Sequence, residues 1–193
     1  MYTPQHFKVT DQEKVLAFIR HNAFGQLISL LDGKLFSSHI PFYLENEGAF
    51  LVGHMAKKNP QWMGLEEQEL LVTFQGPHDY ISPSWYDSPG VPTWNYQAVH
   101  VYGRAELITT PNKLGNIVDK LTKIYESSFE SSWAPEYKES MLNAIVGIKI
   151  QITEIQCKYK LSQNRSEKDR QQVIEQLKER GSAQLSTVMK DEL

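Results

Sequence analysis

The segment from Gly76 to Arg104 constrains the fold most, because it combines aromatic rings and prolines at high density. It holds two of the four Trp, four of the nine Tyr and four of the nine Pro residues. Such a segment is too stiff for a disordered linker and too interrupted by proline for a helix or a central strand. We therefore predict an ordered loop here. From Asn95 to Leu107 the pattern changes to alternating apolar and polar residues, which predicts that a strand follows directly.

Short strands joined by turns make up most of the first half of the chain. Asp32-Gly33 lies between the apolar runs Gln26 to Leu31 and Lys34 to Phe42, and an Asp-Gly pair in that position predicts a β-hairpin. A third strand, Ala49 to Gly53, would complete an antiparallel meander. Two further apolar runs also read as strands, at Glu69 to Gln75 and at Ile145 to Cys157.

Helices are predicted near the start, between the late strands and at the end. Thr10 and Glu13 form a capping-box pattern ahead of a helix from Asp11 to His21. Thr110-Pro111 opens an amphipathic helix whose apolar face we assign to the core. Ser166 opens a last helix that ends near Arg180. Together these elements predict an α+β protein, a small antiparallel split β-barrel with flanking helices, as a single domain over residues 1–181 and a flexible tail over 182–193.

The bulk composition excludes several classes of protein. The net charge is -3, so no general attraction to nucleic acid or to an anionic membrane is expected, and any DNA contact would be local. One cysteine, Cys157, excludes an internal disulfide and favours a reducing cytoplasm. No apolar run approaches the ~20 residues that span a bilayer, and the first residues lack the pattern of a secretory signal. We expect a soluble cytoplasmic protein.

No catalytic or metal-binding motif is present. The six histidines show none of the spacings that hold a metal ion, and no G-x-S-x-G or similar elbow supports a nucleophile. No pair of short helices resembles a helix-turn-helix. We therefore expect no metal and assign no catalytic residue.

One anion site is suggested by the residues Lys57, Lys58, Asn59 and Pro60. Asn59 and Pro60 form a typical N-cap and first-turn pair for a helix. Two ammonium groups at such an N-terminus would form a phosphate site. The alternative is that both lysines are simply solvated on a loop.

Six motifs follow one another over nearly the whole chain. They are M-Y-T-P-Q-H-F at the start, H-I-P-F at His39 to Phe42, G-H-M-A-K-K-N-P-Q-W at Gly53 to Trp62, F-Q-G-P-H-D-Y-I-S-P-S-W-Y at Phe74 to Tyr86, V-P-T-W-N-Y at Val91 to Tyr96, and K-L-S-Q-N-R at Lys160 to Arg165. In these motifs the chain resembles the PaiB-type bacterial negative transcriptional regulators. The resemblance implies an FMN-binding split barrel, a homodimer, and repression of genes for sporulation and degradative enzymes.

The resemblance also implies which residues hold the flavin. A looser similarity to pyridoxamine phosphate oxidase-like flavoproteins matches their phosphate-binding strands and their cross-dimer Gln to positions of this chain. The implied FMN-binding residues are His39, Gly53, His54, Lys57, Lys58, Asn59, Trp94, Tyr96, Gln97, Lys160, Ser162 and Gln163. Within this set, the rings of Trp94 and Tyr96 would face the flavin, and the aromatic loop would wall the cleft at the subunit interface.

Two functions remain open from the sequence. The first is a repressor that binds FMN or another small phosphorylated ligand and acts on DNA directly or through a protein partner. The second is a flavin-dependent oxidoreductase of the pyridoxamine phosphate oxidase-like type, in which the isoalloxazine would supply the redox chemistry.

Overall fold

The computed structural model describes residues 1–130 and 139–193 of the chain. The contacts between residues divide the chain into two compact units, and each unit consists of separate stretches of sequence. Unit 1 consists of Met1–Val15, Gln75–Val99 and Gln156–Leu193, and unit 2 consists of Leu16–Phe74 and His100–Ile155.

The predicted Asp-Gly hairpin is confirmed. Strand β1 (Phe24–Leu31) pairs antiparallel with β2 (Lys34–Pro41), and Leu31 lies opposite Lys34, so the turn contains two residues. Both turn residues have positive φ, 50° at Asp32 and 74° at Gly33. This is the geometry in which the twist of a two-residue turn matches the twist of the strands it joins.

The third strand does not continue the meander as predicted. Strand β3 (Tyr43–Glu45) and strand β4 (Phe50–Ala56) form a second hairpin. The chain reverses between them because Asn46, Glu47 and Gly48 all have positive φ. On its other side β4 pairs with the last strand of the protein, so it lies far from β1 in the sheet order.

The remaining strands are long. They are β5 (Leu70–Ile81), β6 (Thr93–Ile108) and β7 (Ile145–Lys160), and the seven-stranded sheet has the order β2-β1-β5-β6-β7-β4-β3. Gly76 to Ile81 belong to β5, so the predicted aromatic loop shrinks to residues 82–92, including a 3-10 turn at Pro83–Trp85. The last strand, predicted to end at Cys157, continues to Lys160, so Lys158 and Lys160 belong to β7.

The first helix, α1 (Gln12–His21), forms where predicted, but with a different cap. The side chain of Asp11 accepts a hydrogen bond from the amide of Lys14 at 3.1 Å, so Asp11 and not Thr10 caps the helix.

Helix α2 (Pro111–Glu126) builds the core of unit 2. Its side chains Leu114, Ile117 and Leu121 pack with Tyr43 and Val52 of the second hairpin. Ile124, whose spacing from Ile117 and Leu121 also predicts a core position, is 45% exposed. A short helix, α3 (Glu139–Leu142), follows.

Two helices end the chain. Helix α4 (Glu167–Glu179) begins at Ser166, whose hydroxyl accepts from the amide of Asp169, as predicted. Residues 182–193, predicted to be a flexible tail, instead contain helix α5 (Ala183–Asp191). Leu185 and Met189 of α5 are buried, so the segment is held by apolar packing that its weak helical pattern did not reveal.

No helix within residues 1–130 and 139–193 combines the length and the apolar character that crossing a membrane requires.

Candidate functional site

A cleft of about 520 Å³ opens in unit 2 between the second hairpin and helix α2. Its walls are Pro41 at the end of β2, His54 on β4, and a stripe of α2 and the residues after it. That stripe consists of Leu121, Thr122, Tyr125, Glu126 and Phe129. The cleft therefore combines apolar surface with a few polar groups, which is typical of small-molecule sites.

His54 carries the one buried polar atom of the cleft walls that lacks a partner among the described residues. Its ring nitrogen Nδ1 is enclosed, and no described residue hydrogen-bonds to it. Burial lowers the pKa of His54 below the usual histidine range, so the ring is neutral near pH 7. A buried polar atom without a partner is costly, and a bound ligand is one way to satisfy it.

His39 lies on the same face of β2 as Pro41, two residues away. Its ring is exposed and stacks on Phe24 of β1, with ring centres 5.8 Å apart. His39 is therefore placed beside the cleft without being among its lining residues.

Gly53 fits a packing role. A Cβ atom at this position would lie 2.9 Å from the carbonyl oxygen of Pro41 and 3.1 Å from the ring of Phe42. The close approach of β4 to the end of β2 therefore requires glycine. This approach brings His54 next to Pro41.

Lys57 and Lys58 are exposed directly after β4. The predicted cap is confirmed, since Asn59 Oδ1 accepts from the amide of Gln61 at 3.0 Å and Pro60 follows it. The element that Asn59 caps is only a 3-10 turn, Pro60–Trp62, too short for a useful dipole. Attraction of an anion here would rest on the two ammonium groups.

The second half of the predicted set lies in unit 1. Trp94 on β6 is 53% exposed and has His78 and Tyr80 as ring neighbours, with centre separations of 6.4 and 6.2 Å. Lys160 on β7 donates a hydrogen bond to the carbonyl oxygen of Trp94 at 2.7 Å. Tyr96, two residues further along β6, is half-buried.

Three more members of the predicted set are buried or hydrogen-bonded within unit 1. Gln97 is buried. The hydroxyl of Ser162 accepts from Asn95 Nδ2 at 2.9 Å. Gln163 accepts from the amide of Leu161 and donates to the carbonyl of Tyr159, both at 2.7 Å, so it closes the turn after β7.

The ordered loop 82–92 is fixed by helix α4. The carboxylate of Asp169 accepts from the amide of Asp87 at 2.9 Å and from the hydroxyl of Ser88 at 2.8 Å. These hydrogen bonds, the one from Ser88 first, lower the pKa of Asp169. The guanidinium of Arg165 lies 4.4 Å from the ring centre of Tyr86 and donates to the carbonyl of Pro89.

Sequence reasoning missed the α2 side of the cleft. Leu121 and Tyr125 are four residues apart and share one side of α2, and Phe129 follows after the helix has ended at Glu126. Their spacing was visible, but an apolar stripe of this kind is more often core, and only the position of β4 opposite shows that it lines a cleft.

No three His, Cys, Asp or Glu side chains meet in a potential metal site anywhere in residues 1–130 and 139–193.

The sequence of the chain is similar to those of known proteins. Residues 1–154 match the family described as "Putative FMN-binding domain". A Bacillus subtilis (strain 168) protein named "Protease synthase and sporulation protein PAI 2" is 42% identical over 204 residues, which cover 100% of this chain and 98% of that protein.

Solved structures agree on the fold. The flavocytochrome Anf3 from Azotobacter vinelandii superimposes with a TM-score of 0.64 at 19% identity, over 82% of this chain and 72% of that one. An FAD and heme binding protein from Mycobacterium smegmatis gives 0.62 at 17% identity, over 79% and 73%. The predicted α+β split-barrel class is therefore confirmed. The chain belongs to the PaiB-type family of proteins with an FMN-binding domain.

Proposed function

We propose that this protein binds FMN in the unit 2 cleft and is a cytoplasmic negative transcriptional regulator of sporulation and degradative-enzyme genes. The observation that carries the flavin part is a cleft of about 520 Å³ whose wall includes His54, a residue whose enclosed Nδ1 has no partner among the described residues. Membership of the FMN-binding family supports it independently. FMN, when bound, supplies a ring system that can take up and release electrons.

The residues of the cleft fit a flavin ring. Leu121 and Phe129 offer apolar surface to its faces, while His54 and Tyr125 offer polar groups to its edges. Burial raises the pKa of Tyr125, so its phenol stays protonated and can donate a hydrogen bond. Lys57 and Lys58, three and four residues after His54 in the chain, are the candidates for the phosphate.

The exposed apolar residues of the β1–β2 hairpin favour a second copy of the chain as the binding partner. Phe24, Leu30 and Leu35 are exposed to 65%, 51% and 78%, respectively. The strand register places them on one face, together with His39 and Pro41. This apolar face runs up to the cleft, so a homodimer covering it would bring the partner subunit next to the flavin.

The regulatory part of the proposal rests on the similarity to the Bacillus subtilis protein, whose name refers to protease synthesis and sporulation. Helix α4, the nearest candidate for DNA contact, carries charges of both signs and packs against α5. We therefore favour action through a protein partner over direct DNA contact. Retardation of DNA selected from a random duplex library, with and without FMN, separates the two modes.

A flavin-dependent oxidoreductase is the second candidate. It is favoured by the pairing of a protonated phenol, Tyr125, with a carboxylate, Glu126, on the cleft walls, because such groups can pass protons. Anaerobic mixing of the FMN-loaded protein with NADH or NADPH distinguishes the two functions. Bleaching of the flavin absorbance would favour the enzyme, and its persistence would favour the regulator.

The flavin proposal is tested by titrating flavin-free protein with FMN and recording the flavin absorbance and fluorescence. We expect saturable binding to the wild type and weaker binding to a His54→Phe variant. The matched control is His100→Phe, because His100 on β6 also has a buried Nδ1 without a described partner but does not line the cleft. Equal affinity in all three proteins would refute the assignment of the cleft.

The dimer is tested by sedimentation of wild type and a Leu35→Glu variant. We expect a dimeric wild type and a monomeric variant, because the carboxylate would be buried without a partner. A Leu35→Glu protein that remains dimeric would show that the subunits meet elsewhere.

A further inference from the structure

A group of lysines without acidic partners lies on one side of β7 in unit 1. Lys158 and Lys160 are two residues apart on the strand, so their side chains share a face. Lys8 is bridged directly opposite Lys158 in an antiparallel pair, and residues in that position also share a face. We call Lys8, Lys158 and Lys160 the lysine cluster. Within the described part of the chain, no carboxylate lies within 4.0 Å of these ammonium groups.

Lys158 is the exceptional member, because only 7% of it is exposed. Its ammonium group has three donors. Among the described residues it makes one hydrogen bond, to the carbonyl oxygen of Tyr2 at 3.1 Å. It also lies 5.3 Å from the ring centre of Tyr96 and 5.8 Å from that of Tyr2. Aromatic faces compensate only part of the loss of water around a cation.

Lys160 adds to the positive charge. Its ammonium group is held by the carbonyl oxygen of Trp94 and the hydroxyl of Thr93, and it lies 5.8 Å from the ring centre of Phe7. Burial lowers the pKa of Lys160, and the nearby charge of Lys158 lowers it further. Like charges placed side by side on a sheet repel each other, so an anion between them would lower the energy of the cluster.

We propose that the lysine cluster is an oxyanion-binding site for the phosphate or carboxylate of a small ring-bearing acid. The oxyanion lies between the ammonium groups of Lys158 and Lys160. The exposed ring of Tyr2, 5.8 Å from the Lys158 ammonium group, and the exposed ring of Trp94, whose carbonyl oxygen binds Lys160, accept the ring of the ligand. Lys160, Trp94 and Tyr96 belong to the FMN-binding set that the resemblance implies, whereas neither the family comparison nor the sequence motifs assign Lys158 or Lys8. The inference does not depend on the flavin cleft of unit 2.

The test is thermal unfolding of flavin-free protein with inorganic phosphate and with benzoate as probes. For the wild type we expect the melting temperature to rise by about 5–11 °C at a hundredfold excess over the dissociation constant. For Lys158→Met we expect an unchanged or higher melting temperature without a probe, because an unpaired buried charge is removed, and no rise with either probe. Lys178→Met, which removes an exposed lysine of α4, should behave like the wild type.

Two results would overturn the inference. One is a wild type that neither probe stabilises. The other is a Lys158→Met protein that melts lower without a probe yet gains as much as the wild type with it, which would make Lys158 a structural residue. If Lys158→Met does not fold, Lys160→Met is measured in the same way and must also lose the rise.

The affinities of wild type and Lys158→Met for FMN and for riboflavin identify the molecule that carries the oxyanion. If Lys158→Met weakens the binding of FMN but not of riboflavin, the bound group is the flavin phosphate. If it weakens neither, the site takes a free acid. The flavin proposal is tested separately, since His54→Phe should change flavin affinity and leave the response to inorganic phosphate unchanged.

Discussion

Replacing His54 by Phe should make the flavin-free protein more stable and the flavin complex weaker. In the free protein the Nδ1 atom of His54 is buried without a described partner. Burying such an atom costs about 1–3 kcal/mol, and Phe keeps the ring while removing it. Taking about 1 kcal/mol, the melting temperature should rise by roughly 2–4 °C for a chain of this size.

In the proposed flavin complex, the same substitution would also remove one hydrogen bond to FMN. A net contribution of about 0.5–1.5 kcal/mol corresponds to an affinity roughly 2- to 12-fold lower. Calorimetry of unfolding and fluorescence titration with FMN measure the two effects on one preparation. His100→Phe should reproduce the gain in stability without the loss of affinity, because it removes an equivalent atom outside the cleft.

The effect of His54→Phe should also depend on pH. Burial lowers the pKa of His54 in the folded state, so the unfolded chain binds the proton more readily as the pH falls below about 6.5. As the pH falls from the ordinary histidine pKa to the lowered pKa of His54, the free energy of unfolding of the wild type therefore decreases. The variant has no His54 and does not undergo this decrease. The advantage of the variant should be larger at pH 5 than at pH 8. A less stable variant, or an advantage that shrinks on acidification, would refute the reasoning.

Three further predictions concern the phosphate, the last helix and the loop. Lys57→Ala together with Lys58→Ala should weaken FMN about tenfold and leave riboflavin unchanged, because the loss of charge-assisted contacts of about 1.5 kcal/mol affects only the phosphate; equal losses for both ligands would show that the phosphate does not bind there. Met189→Ala should destabilise the fold by about 2–5 kcal/mol in urea unfolding, because Met189 is fully buried, and an effect below about 0.5 kcal/mol would mean that α5 does not pack as described. Asp169→Asn should increase proteolytic cleavage in residues 82–92, because the amide cannot accept both loop hydrogen bonds as the carboxylate does; unchanged cleavage would show that other contacts hold the loop.

Local chemistry predicted the local structure well. The Asp32-Gly33 turn, the Asn59 cap and the Ser166 cap form because each is decided within a few residues by backbone torsion or a side-chain acceptor. Thr10 was a misleading cap, since Asp11 offers a competing acceptor one residue later.

Long-range pairing could not be predicted in the same way. The position of β4 next to β7 is decided by residues about a hundred positions apart, and the meander was the simpler reading of three consecutive strands. Helix α5 was missed because its stability comes from the burial of Leu185 and Met189. The sequence of the helix itself shows only a weak amphipathic pattern.

The candidate site was predicted only in part for the same reason. His54 came from resemblance, but its unpartnered nitrogen is a property of the packed structure. Tyr125, four residues after the core residue Leu121 on α2, is recognised as part of the cleft only when β4 is placed opposite it. Ser162 and Gln163, predicted to hold the flavin, form hydrogen bonds within unit 1 that a motif cannot show.

The nitrogen resonance of His54 Nδ1 tests the central claim most directly. Histidine-labelled protein is titrated with FMN while the ring nitrogens are followed by NMR and binding is followed by flavin fluorescence. The Nδ1 resonance of His54 should shift in step with saturation, while that of His100 stays in place. Saturable FMN binding with an unchanged His54 resonance would contradict the claim that the flavin occupies this cleft.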